Sequence, residues 1–296
     1  RDLGRMSEID PRLRQVQAAR LALALWDYGG EGPAVLFLHG FLDVGRSYED
    51  VARAARAFCR PLCLDWRGHG KSGRCSADAA YHQLDHLKDL LCVLDELEAA
   101  GDAPAAIVAH SMGGTIALML AGCLPEAVQR LLLLDNLGGY AASPAEQVDT
   151  LGEVLRSVRS TKRPFRHFAA REEAIPIFRA NNPGLSEAGA RRMARHFLQQ
   201  APDGTFAPDA DARLRGPNPY RFSEAHWQEM CGRVSARVLV AAPEHGYLAD
   251  PGYTAQRARF ERILRGTWRE VPGASHHLHV DAPEQVASLL RVLLKD

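Results

Sequence analysis

Three stretches of the chain carry residue types that could break a bond. The first is His110-Ser111-Met112-Gly113-Gly114. It lies between the apolar run Ala105–Ala109, which reads as a buried strand, and a stretch to Leu124 that is apolar on every helical face. A strand that turns sharply into a helix holds Ser111 on a strained bend, with its hydroxyl clear of the chain and the next amide N–H beside the reacting carbon. The neighbours two residues either side are crowded, hence the general pattern G-x-S-x-G. Gly113 keeps the second glycine, and Ala109 replaces the first. A serine so placed needs a base, and the second stretch, Val271–His279, offers His276, His277 and His279 between a last strand and a last helix. By register His276 is the base. His279 packs inside near the helix, and His277 is a pocket-lining or exposed neighbour.

The imidazole in turn needs a carboxylate that fixes its tautomer and stabilises its charged form. Asp135, ending the strand after the Ser111 helix, is the first choice, and Glu244 and Asp250 in the loop 243–250 are the alternatives. The third stretch, His39-Gly40-Phe41, follows the apolar run Ala34–Leu38. It supplies a second oxyanion donor, so that the Phe41 and Met112 N–H groups share one substrate oxygen. The H-H-x-H spacing lacks a second ligand cluster and no H-E-x-x-H occurs, so neither a metal nor a cofactor is expected. Gly70-Lys71-Ser72 resembles the end of a phosphate loop, but Asp65 stands where the earlier glycine is required. Asp65, Arg67 and His69 read instead as polar anchors of that loop.

The elements that position these residues follow from periodicity. Arg12–Val16 and Leu21–Tyr28 form an opening hairpin; Ala34–Leu38, Arg60–Asp65, Gln129–Asp135, Arg237–Ala242 and Thr267–Val271 are further strands. Helices are expected at Ser47–Phe58, with Ser47 as N-cap, and at Tyr81–Ala100, Pro251–Arg265 and Pro283–Leu294. Strands separated by such helices imply a parallel sheet. From Ser143 to about Gly232, charged helical stretches (Ala145–Arg159, Ser186–Gln200) alternate with Pro/Gly breaks and no strand of core quality. An insertion after a strand's carboxyl end lies over the active-site crevice of such a sheet.

Composition sets the outer bounds. With 296 residues, 46% hydrophobic and 24% charged, the chain suits one large α/β domain with an insertion or two domains. Lys plus Arg equals Asp plus Glu, 36 each, so no overall field recruits nucleic acid or an anionic membrane. The six cysteines form no C-x-x-C pair and several fall in apolar elements, which suggests reduced thiols and a cytoplasmic setting. No apolar run approaches a membrane span, no signal peptide is evident, and Met6 reads as a natural start.

The motif order resembles the α/β-hydrolase superfamily: His39-Gly40 after the third strand, Asp65-x-Arg67-Gly68-His69-Gly70-x-Ser72 after the fourth, His110-Ser111-Met112-Gly113-Gly114 after the fifth, and a near-terminal histidine. Leu38–Asp43, His245-Gly246-Tyr247 and the Val271-Pro272-Gly273 tail through Pro283-Glu284 are more closely similar to the serine hydrolase-like proteins and their bacterial relatives. The resemblance implies an α/β-hydrolase fold, with an eight-stranded, mostly parallel sheet flanked by helices and a helical cap. The core is expected at 1–142 and 233–296 and the cap at 143–232. It also implies nucleophile Ser111, base His276 and an oxyanion hole from Phe41 and Met112. Many members carry the acid as G-x-x-D after the seventh strand; here that register ends on Gly246, which moves the role to Asp135. The expected activity is hydrolysis of a carboxylic ester or related acyl bond in a small, apolar substrate. Thioester, lactone or carbon–carbon hydrolysis on the same residues, and ligand binding without catalysis, stay open as alternatives.

Overall fold

The apolar runs become the middle of one sheet. In the computed structural model, which describes residues 10–159, 164–250 and 253–295, the chain opens with β1 (Arg12–Ala18) and β2 (Leu21–Asp27), paired antiparallel. β3 (Ala34–Leu38), α1 (Glu49–Ala55), β4 (Arg60–Leu64), α2 (Gln83–Ala99), β5 (Ala106–His110), α3 (Met112–Cys123) and β6 (Arg130–Leu134) follow. After an inserted segment come β9 (Arg237–His245), α8 (Thr254–Glu261), β10 (Gly266–Ser275), α9 (Leu278–Asp281) and α10 (Pro283–Lys295). The eight strands are ordered β1-β2-β4-β3-β5-β6-β9-β10, parallel from β4 onward. Expected and observed strands coincide to within a few residues. The expected start at Met6 lies outside the described residues.

Continuous apolar runs suit the central strands because helices cover both faces. Each face carries its own core, one built on Leu36, Ile107, Leu131, Leu133 and α3, the other on Phe37, Val108, Leu132, Leu134 and α10. Each fully buried leucine contributes roughly 1.5–3 kcal/mol. That packing makes the ends of β5 and β6 a fixed platform for what projects from them.

The helix expected over Pro251–Arg265 is observed at Thr254–Glu261, its expected first two residues lying outside the described ones, and one expected cap differs. Ser47 does not cap α1: it sits in a single 3-10 turn, Gly45–Tyr48, and its hydroxyl donates to Asp43 Oδ2 at 2.9 Å, so the α-helix begins only at Glu49.

The inserted segment carries α4 (Pro144–Val158), α5 (Ile175–Asn181), α6 (Glu187–Phe197), β7 (Leu198–Gln200), β8 (Phe206–Pro208) and α7 (Glu224–Arg233). β7 and β8 make a short antiparallel hairpin inside the stretch expected to be helical, so Ser186–Gln200 is helical only to Phe197. The segment lies across the carboxyl ends of the strands. Gly70 N–H donates to Asp209 O and Asp211 N–H to Gly68 O, while Arg195 and Arg192 of α6 pair with Glu49 and Asp50. α7 behaves differently: Gly122 of α3 has no side chain to keep it from Met230, and buried Trp227 and Cys231 join the core cluster of α3. Trp227 packs on Gly138, where φ is +93° and a Cβ would come within 2.6 Å of the indole. Among the described residues no helix is long and apolar enough to cross a membrane.

Candidate active site

Ser111 stands between β5 and α3 with φ 49° and ψ −116°. A side chain held at positive φ is strained, and such strain gathers at functional sites where the surroundings over-determine the backbone. Here they do. A Cβ on Gly113 would lie 2.5 Å from Leu38 O, and one on Gly40 would lie 3.2 Å from Ser111 Cβ. Those two positions must be bare for β3 and the bend to meet. Ala109, fully buried, fills the place of the usual first glycine.

The structure brings Ser111, His276 and Asp135 into one line. Ser111 Oγ–H donates to His276 Nε2 at 3.2 Å, and His276 Nδ1–H donates to Asp135 Oδ2 at 2.6 Å. The ring orientation is fixed from three further sides. His276 N–H donates to His245 O at 3.1 Å, His110 Nε2–H donates to His276 O at 2.8 Å, and the Tyr247 ring lies 4.3 Å from the imidazole.

Asp135 follows β6 directly, buried, with φ 48°. Its carboxylate accepts the amides of Tyr247 at 2.8 Å and Leu248 at 2.9 Å. Gly246, the residue in the register of the usual acid, is what admits it: a Cβ there would stand 2.3 Å from Asp135 Oδ2. The loop after β9 therefore presents backbone donors to a carboxylate from the neighbouring strand. The two alternative acids lie elsewhere. Glu244 is exposed and accepts Gly273 N–H at 2.9 Å, and Asp250 is exposed farther along the loop, with its carbonyl accepting Tyr253 N–H. The roles of Gly246 and of the Tyr247 and Leu248 amides had no signal in the sequence beyond the misplaced glycine.

Ser111 opens on a cavity of about 330 Å³ lined in part by Phe41, Met112, Asn136, Tyr140, Tyr253 and Gln256. Met112 is the first residue of α3, where helix amides have no partner within the helix. From the insertion, Tyr220, Phe222 and Trp227 reach this cavity. Phe168 instead packs within the insertion, Phe178 and Phe197 join a cluster that includes Val280 of α9, with the Phe197 ring 5.9 Å from that of His277, and Phe165 lies under the Arg215 guanidinium.

The other polar residues singled out are structural. Asp65 accepts Gly45 N–H, Lys71 N–H and Trp26 Nε1–H, and its burial pushes the carboxyl up to about 6. Arg67 is bonded through two nitrogens to Asp89, and His69 Nε2 accepts Leu42 N–H. His279 is fully buried, as register implied, and its Nε2–H donates to Asp43 Oδ2 at 3.1 Å. His277 neither lines the cavity nor stands exposed: Asn182 of the insertion covers it and accepts its Nε2–H at 3.0 Å. Burial, then the neighbouring imidazoles, holds His110 and His277 well below the usual imidazole range, so both are neutral.

The fold, the bent serine and the aligned histidine define a class, and the comparisons agree with it. Residues 35–289 match the alpha/beta hydrolase family, and the chain belongs to that family. It is similar to a serine hydrolase-like protein of Danio rerio, 25% identical over 89% of this chain and 82% of that protein. An sn-1-specific diacylglycerol lipase of Mus musculus is 31% identical over 89% of this chain and 81% of its own length. Among solved structures, a hypothetical protein of Pseudomonas aeruginosa superposes with a TM-score of 0.82 at 29% identity, covering 96% of this chain and 98% of that one.

Proposed function

We propose that this hydrolase is a serine esterase that cleaves a carboxylic ester through Ser111, His276 and Asp135. The observation that carries the reading is the continuous bond path from Ser111 Oγ through His276 to Asp135, at 3.2 and 2.6 Å, opening on a cavity. His276 Nε2 takes the serine proton as Oγ attacks the ester carbonyl. The resulting oxyanion is met by the Phe41 and Met112 amides. His276 then returns the proton to the leaving alcohol, and a water deprotonated by the same ring releases the acyl group. Asp135 accepts from Nδ1 throughout, keeping Nε2 as the acceptor in the free enzyme and stabilising the imidazolium.

The cavity's aromatic and tyrosine lining suits an apolar acyl chain with a polar ester end. The name of the mouse relative, a lipase, points the same way. We place the substrate-covering cap at 143–222 and count α7 with the core, because it packs on α3. Labelling by a fluorophosphonate, with the adduct mapped by mass spectrometry, tests the reading alongside hydrolysis of short-chain aryl esters. The expected result is a single adduct on Ser111 and turnover that Ser111→Ala lowers by about 10⁴-fold or more. Equal turnover in both proteins, or an adduct elsewhere, overturns it.

A further inference from the structure

Behind the Ser111–His276 pair lie three more imidazoles whose bonding pattern that chemistry does not use. His110 ends β5, His277 precedes α9 and His279 lies within it; one ring nitrogen of each lies within 4.8 Å of the others. Every Nε2 is engaged with an acceptor: His276 O for His110, Asn182 Oδ1 for His277, Asp43 Oδ2 for His279. The ring proton of each therefore sits on Nε2, and Nδ1 carries a bare lone pair. All three Nδ1 atoms are buried and have no hydrogen-bond partner among the described residues. Gly40 adds to this, since a Cβ there would come within 2.8 Å of His110 Nδ1 and fill the space beside it.

Buried acceptors left unpaired are costly, and three of them on rings whose centroids lie 4.5 to 5.9 Å apart are hard to satisfy together. A water has only two protons to give and would leave one nitrogen bare. A cation satisfies all three. Neutral imidazoles without an oxygen ligand select borderline-soft divalent ions over magnesium or calcium. Metal-bound histidines also characteristically donate their other N–H to a carboxylate or carbonyl, as all three rings do here. The pattern was hidden in the sequence because His110 stands far from the other two along the chain.

We propose that His110, His277 and His279 form a binding site for a divalent transition metal such as Zn²⁺, and that its occupation inhibits the esterase. The second half rests on the reading of Ser111 and His276 given above; the first does not. Zinc–nitrogen distances of about 2.0–2.1 Å set tetrahedral ligands about 3.3 Å apart, closer than the 4.8 Å limit observed. His110 adjoins Ser111, and His277 adjoins His276. Drawing these ligands together therefore moves the two segments whose side chains meet at 3.2 Å.

The test uses Co²⁺ as a coloured stand-in for zinc and the full chain carrying Ser111→Ala, which reads binding without turnover. Expected is a saturable one-to-one complex with the strong visible absorption of four-coordinate Co²⁺, displaced by Zn²⁺. His277→Gln and His279→Gln should each weaken it by about 100-fold or more, and His276→Ala should retain it. In the wild type, Zn²⁺ should inhibit aryl-ester hydrolysis reversibly with EDTA, and His277→Gln should raise the inhibitory concentration by a similar factor. No saturable complex, a complex unaffected by His277→Gln, or one lost in His276→Ala (metal on the base itself) would overturn the site. Should His279→Gln fail to fold, His277→Gln, nearer the surface, decides. Should Co²⁺ bind while Ser111 proves unreactive, the site stands and the inhibitory role falls.

Discussion

Two histidine–carboxylate pairs, their histidines three residues apart in this chain, are bonded the opposite way round. His276 meets Asp135 through Nδ1 at 2.6 Å, whereas His279 meets Asp43 through Nε2 at 3.1 Å. Both carboxylates are buried, and each accepts two further bonds: Tyr247 and Leu248 amides on Asp135, the Val44 amide and Ser47 hydroxyl on Asp43. The ring atom left over separates them. Bonding through Nδ1 leaves the outer nitrogen, Nε2, free to reach Ser111 and the cavity. Bonding through Nε2 turns the free nitrogen back toward the protein interior, beside Tyr48 and His110. A histidine near a carboxylate is thus weak evidence for catalysis until the tautomer is known.

The comparison is broken most severely at the first pair. Asp135→Asn should lower kcat/KM for an aryl ester by about 10⁴-fold with the fold intact, because the amide favours the wrong tautomer; activity within tenfold of wild type would show that His276 does not depend on this residue. Gly246→Ala acts on the same carboxylate indirectly. Its Cβ claims space 2.3 Å from Asp135 Oδ2, and a misplacement on the ångström scale should cost about 10²-fold in kcat, measurable by steady-state kinetics beside an unchanged far-UV spectrum.

At the second pair the expected loss is stability. Asp43→Asn should lower the unfolding free energy by about 1–3 kcal/mol, read from urea denaturation, with kcat falling far less than for Asp135→Asn. An equal collapse of activity would mean that both pairs serve the reaction.

The smallest effect, per residue, is the response to acid. Burial depresses His110 and His277 well below 6.5, His196 to about 4 and His69 to about 3. The unfolded chain then binds protons that the folded one refuses, so the stabilisation is complete above pH 6.5 and is withdrawn as pH falls toward the folded values. Each such ring removes roughly 0.7 kcal/mol between pH 7 and pH 6. Asp65, raised to about 6 by burial, opposes them in part. Urea midpoints that rise on acidification over this interval would contradict the neutral state of these rings.

Much of this was legible beforehand for a physical reason. The apolar runs are uninterrupted because both faces of the sheet are covered, and the bend at Ser111 demands small neighbours that local sequence reveals. Asp135 could be favoured from its place at the end of β6 but not settled, since what admits it is a missing side chain at Gly246, in the loop after another strand. The hairpin β7–β8 was missed because Leu198–Gln200 continues a helical pattern and pairs with residues beyond a turn. Ser47 misled because its hydroxyl answers to Asp43, four residues earlier, and not to the helix. The cluster at His110 depends on contacts between distant segments, which no window of sequence contains.

Trp227 offers one practical return. Of the four tryptophans, it is the one that, among the described residues, lines the cavity at Ser111, wedged on Gly138 and packed edge-on against Phe222. Its emission should therefore respond when a ligand enters, while Trp66, sealed against His39, stays silent. The molecule carries its own optical gauge of occupancy.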